Sequence, residues 1–179
     1  MSRAREIADL GSGGTAGHII QVVQKTKTDK FVAASNTSEQ IIPGYDCTIT
    51  PRKAGSNILV NYSFDTSAST TLTARTYMER DIGGGGYSML TGIMGADPGG
   101  SSGDASLSHG GTYASWMCYK HAAMYLDSPS YTLGQAITYR IGVQSETNSY
   151  PVIVGSTHRD NTQYHPRTAS ILVLIEVIA

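Results

Sequence analysis

The sequence predicts an all-β chain, an antiparallel β-sandwich of jelly-roll-like form with a short N-terminal arm. Three observations predict it. Short segments alternate apolar and polar residues with a period of two. Clusters of Gly, Pro, Asn, Asp and Ser separate them. The 179 residues include 20 Gly and only 15% charged side chains, against about 25% in an average globular domain. A single domain of this length buries roughly 70% of its unfolded surface, enough for a real core.

The arm comes first. In residues 1–17, Ser2 can cap a short helix with Ile7 and Leu10 on one side. That apolar face is too narrow for a free helix. The run Gly11 to Gly17 then reads as a flexible hinge. Such an arm docks on something else, and Arg3, Arg5, Ile7 and Leu10 are its candidate docking residues.

The sandwich spans 18–179. His18 to Gln24 is β-branched, and Asp46 to Thr50 alternates up to Pro51. Ser56 to Phe64 is the clearest strand, with Ile58, Val60, Tyr62 and Phe64 on one face and Asn57, Leu59, Asn61 and Ser63 on the other. Thr71 to Glu79 alternates Leu72, Ala74, Thr76 and Met78 with polar partners. Four glycines, 83–86, precede a short apolar piece, Tyr87 to Met94, and 95–111 reads as a long glycine-rich loop. Thr112 to Leu126 is expected to be one long strand, with Trp116, Cys118, Ala122, Met124 and Leu126 sharing a face. Ala136 to Val143 places Ile137, Tyr139, Ile141 and Val143 on one side, Pro151 to Gly155 is short and apolar, and His158 to Arg167 is a polar loop. Cys47 and Cys118 are both expected to be buried thiols.

The chain closes on Ala169 to Ala179, apolar on both faces except at Ser170 and Glu176. Its β-branched content favours a strand over a helix. One face meets the core. The other, with Ile171, Val173, Ile175 and Val177, needs cover from a neighbouring subunit.

Other chemistry finds little support. The net charge is −1, with no basic patch for nucleic acid. No segment approaches the roughly 20 apolar residues of a spanning helix, so membrane insertion is not expected. The N-terminus lacks a signal peptide's apolar run, and we expect a protein that is kept in the cytoplasm or leaves with a particle, in a virion, rather than by secretion. Gly11 to Gly17 has no strand before it and no closing Lys-Ser/Thr, so it is not a phosphate loop. His158, Asp160 and His165 could ligate zinc, but they share a loop with Arg159 and Arg167, and we expect no metal and no cofactor. Ser108-His109-Gly110-Gly111 lacks a partner nucleophile elbow and reads as the end of the flexible loop. No enzyme is expected. Eleven Tyr against two Phe suit wet interfaces and sugar stacking. Tyr87, Tyr150, His158, Tyr164 and His165 are the candidate ligand contacts, in or beside loops.

An ordered series of fragments carries a resemblance. It runs through Val22-Val23-Gln24, Thr28-Asp29-Lys30-Phe31, Gly44, Thr48-Ile49-Thr50-Pro51 and Gly55-Ser56-Asn57-Ile58-Leu59-Val60. It continues through Leu126-Asp127-Ser128-Pro129-Ser130, Thr138-Tyr139 and Ser170 to Val177, after an opening Arg5 to Gly11. The series covers most of the chain and weakens over 81–111. It resembles the β-sandwich modules of tail-fibre-like and other virion structural proteins of marine phages, cyanophages included. The resemblance implies a jelly-roll-like domain on the outside of a virion, in a fibre, tail or capsid decoration, and often a homotrimer. Its partners would be its own copies, other virion proteins and, in an adhesin, a host surface glycan met through the long loops. It implies no catalytic residues.

Overall fold

A computed structural model describes residues 16–35, 37–68, 72–95, 108–112, 115–160 and 167–179. Eleven strands run through them: β1 Ile19–Lys27, β2 Phe31–Val32, β3 Gln40–Ile49, β4 Asn57–Ser67, β5 Leu72–Ile82, β6 Ser88–Met89, β7 Ser108–Thr112, β8 Tyr119–Asp127, β9 Ile137–Ser145, β10 Ile153–Val154 and β11 Ser170–Val177. A single 3₁₀ turn, Thr91–Ile93, follows β6. All strand pairs are antiparallel.

The eight longer strands form two four-stranded sheets. The first runs β1–β11–β4–β8, with short β10 paired to the last two residues of β4 and β2 paired to β10. The second runs β3–β9–β5–β7, with β6 also on β5. Counted along the chain, these are strands one, eight, three and six against two, seven, four and five. This alternation between sheets is the double Greek key of a jelly roll.

The period of two explains the core. Ile58, Val60, Tyr62 and Phe64 of β4 face Ile137, Tyr139, Ile141 and Val143 of β9, and all are fully or nearly fully buried. Ile42, Tyr45, Cys47 and Ile49 of β3, Met78 of β5, and Leu172 and Leu174 of β11 fill the rest. Each large side chain so buried stabilises the fold by about 1.5–3 kcal/mol. Tyr45 crosses the sandwich. Its ring meets Phe64 edge-on at 5.7 Å, and its hydroxyl donates to the carbonyl of Ile171 at 2.7 Å. Burial holds the Tyr45 phenol far above its ordinary value.

Several expectations are corrected. The segment 112–126 is not one strand, because Trp116 lies in a turn and β8 starts only at Tyr119. Cys118 is exposed, while Cys47 is buried as expected. Ser108 to Thr112 is not loose loop. It is β7, paired with Leu72 to Thr76. Gly110 is needed there, because a Cβ at that position would collide with the Tyr119 ring.

Candidate functional site

The largest departure is the orientation of β8. Its apolar residues Ala122, Met124 and Leu126 point away from the core, and its buried face carries His121 and Asp127. Inside, His121 stacks on Phe64 at 5.2 Å. Its Nδ1 is 2.9 Å from the Ser108 hydroxyl and its Nε2 is 2.9 Å from the Thr66 hydroxyl. Ser108 is also 2.7 Å from Thr76 Oγ1 and accepts from the Tyr62 hydroxyl at 3.2 Å. Asp127 accepts from Arg80 Nη1 at 2.6 and 2.7 Å and from the Tyr139 hydroxyl at 2.6 Å. Burial first, and then that carboxylate, push the Tyr139 phenol far up, so it stays a donor. Buried polar groups require such partners. They fix which face of β8 turns inward, and the apolar face is left outside.

The strand register then assembles an apolar band on the outer face of the first sheet. Val22, Ile175, Leu59 and Leu126 stand side by side across four strands. Gln24, Val173, Asn61 and Met124 form the next row, and Thr26, Ile171, Ser63 and Ala122 the one beyond it. Ile19 and Val177 pair at the opposite end. Met124 is 66% exposed, Val22 58%, Ile19 54%, Leu126 49% and Ile171 36%. Scattered single hydrophobes on a surface mean little, but a contiguous patch marks an interaction site. Polar residues bound it on one side, where Lys120 pairs with Asp65 at 3.2 Å.

All four residues assigned to a subunit interface, Ile171, Val173, Ile175 and Val177, lie on this outer face. Val22, Leu59, Met124 and Leu126 are their companions on this face, which the sequence reading did not assign to an interface. Arg3, Arg5, Ile7 and Leu10 of the arm, and Tyr164 and His165, lie outside the described residues. Asp160 engages Arg167 at 3.0 Å and Lys30 at 3.2 Å, and these two, Arg167 first, draw its carboxyl below the ordinary value.

The outer face of the second sheet is polar. Arg140 of β9 donates to Glu79 of β5 at 2.5 Å, and its guanidinium carbon sits 3.5 Å above the centre of the Tyr87 ring. Tyr77 bonds to Gln144, and Thr48 lies 2.8 Å from Thr138. Of the candidate ligand contacts among the described residues, Tyr87 alone joins this cluster. Tyr150 is exposed in the bends after β9, and His158 is half-buried in the loop before Asp160. No ring contact links the three among the described residues.

No protein-family model matches the chain, and neither does any curated protein. Among solved structures, the chain is similar to the CBM22-1 xylan-binding domain of Xyn10C from Paenibacillus barcinonensis. The identity is 12%, the match covers 93% of this chain and 98% of that one, and the TM-score is 0.35. The architecture of this chain is an antiparallel, jelly-roll-like β-sandwich.

Proposed function

We propose that this chain is a structural module of a phage particle, of the fibre, tail or capsid-decoration kind. It assembles as a homotrimer through the outer face of the β1–β11–β4–β8 sheet, and the arm of residues 1–17 attaches it to the rest of the particle. The observation that carries this reading is the band of Val22, Leu59, Met124, Leu126, Ile171, Val173 and Ile175 on the surface of a sandwich whose core is already complete. Three is the copy number that the resemblance to virion modules implies. The mechanism is mechanical, since copies shield each other's apolar faces and the opposite sheets look outward. A stable contact of this kind buries about 800 Å² on each partner.

Sedimentation equilibrium on the full chain tests it. We expect a trimer at micromolar concentration. Met124→Asp with Leu126→Asp should give a folded monomer with an unchanged far-UV spectrum, since both side chains point outward. A wild-type chain that sediments as a monomer overturns the assembly.

A further inference from the structure

β8 is the edge strand of the apolar band and pairs, among the described residues, with β4 alone. Two buried side chains tie its inner face to the core. At its end Asp127 binds Arg80 and Tyr139. Nearer its start the tie is His121, an ionisable ring only 1% exposed. Met124 and Leu126 of the band stand on the same strand and point the other way. The seat of His121 therefore also positions part of the assembly face.

That seat suits a neutral ring. Phe64 of β4 stacks on it at 5.2 Å, and Tyr119 meets it edge-on at 5.1 Å. A neutral imidazole donates through one nitrogen and accepts through the other. Each nitrogen has a hydroxyl at 2.9 Å, Ser108 on Nδ1 and Thr66 on Nε2. An imidazolium donates through both, so both hydroxyls would have to accept. Ser108 Oγ already accepts from Tyr62 and reaches Thr76 at 2.7 Å. Burial pushes the Tyr62 phenol up, so it stays a donor. Asp65 and Lys120, next along β4 and β8 from Phe64 and His121, alternate to the outer face and pair with each other at 3.2 Å. Taking a charged ring out of water costs more than the face of Phe64 returns.

We infer that His121 is an acid-sensitive latch on the assembly face. When β8 lifts at Tyr119 to Ala123, the ring enters water, where it takes up a proton below about pH 6.5. The lifted strand then holds one more proton than the seated one. The seated state is fully favoured above that pH and loses ground about tenfold for each unit below it. Ala122 and Met124 leave the band with the strand, and the copies part. This last step rests on the trimer proposed above, whereas the latch itself does not.

Amide hydrogen exchange of the full chain at about pH 7.5 and 5.0, corrected for the intrinsic rate, tests the latch. Protection of residues 119–123 should fall about 30-fold between the two, since the lower lies about 1.5 units below the ordinary histidine value. Protection of β9 should change by less than about threefold. His121→Gln cannot charge, and should show equal protection at both pH values. His158→Gln should respond like wild type. Sedimentation equilibrium under the same two conditions reads the assembly, which should dissociate at the lower pH in wild type and persist in His121→Gln. Unchanged protection of 119–123 in wild type overturns the latch, and so does a loss that β9 shares. Wild type alone decides both, even where His121→Gln does not fold. An equal fall in folded His121→Gln overturns the latch as well. A trimer undisturbed at pH 5.0 despite the fall severs the latch from the assembly face. A monomer already at pH 7.5 overturns the trimer, and the exchange result then judges the latch by itself.

Discussion

The carboxylate of Glu176 accepts the backbone N–H of Arg52, which lies 3.0 Å from both of its oxygens. Glu176 also takes the Lys53 N–H at 3.0 Å and the Gln21 side chain at 2.7 Å. This one inward-facing acid of β11 therefore ties the last strand to β1 and to the turn after β3. It explains why the apolar C-terminal ribbon is broken at that position. Burial alone would raise its pKa, but the donors prevail and hold it below the ordinary 4.5.

Stability should therefore depend on pH through Glu176. A carboxylate whose folded value is depressed contributes stability above its unfolded value, and that contribution is lost as pH falls through the folded one. Urea midpoints should fall as the pH drops below about 4.5. Glu176→Gln should cost about 1–3 kcal/mol at pH 7, and the gap to wild type should shrink by pH 3. An equal gap at both pH values would mean that charge plays no part.

Asp127 satisfies Arg80 and Tyr139 from the opposite sheet. Asp127→Ala strands a guanidinium and a phenol, and should cost about 3–5 kcal/mol. Tyr139→Phe removes one donor only, for about 0.5–1.5 kcal/mol. Chemical denaturation of both variants checks the ordering, which reverses if the Tyr139 bond is the stronger tie.

Ser108 and Thr66 hold opposite nitrogens of the His121 imidazole. Ser108→Ala and Thr66→Val should each destabilise by about 1–3 kcal/mol. Because they share one ring, the double variant should fall short of the sum by at least 0.5 kcal/mol. A double-mutant cycle that adds cleanly would show that the ring does not couple them.

Gly110 leaves room for the Tyr119 ring. Gly110→Ala should lower the unfolding free energy by about 1–3 kcal/mol through overpacking. Added to Tyr119→Ala, the same substitution should be nearly silent. A full loss in the Tyr119→Ala background would place the strain elsewhere.

Strands whose inward residues are apolar were legible from the sequence. β4 and β9 show their buried faces as unbroken alternation, and β11 shows its strand character in its β-branched residues. For β8 the alternation showed which residues share a face but not which way that face turns, because its outer face is apolar and its inner one carries His121 and Asp127. His121 and Asp127 look like surface residues until hydrogen-bond partners 12 to 55 positions away are placed beside them. β7 was missed because Ser-His-Gly-Gly-Thr has no strand propensity of its own and is held by β5.

The sequence by itself determined that this chain is an antiparallel sandwich, and that the outward side of its last strand is apolar. Both follow from the period of two, which is local. Only the tertiary structure decided which face of β8 turns inward and how one strand's apolar side widens into a four-strand band. Those outcomes depend on register and on hydrogen bonds between distant residues, and a one-residue shift would send each of these side chains to the other face.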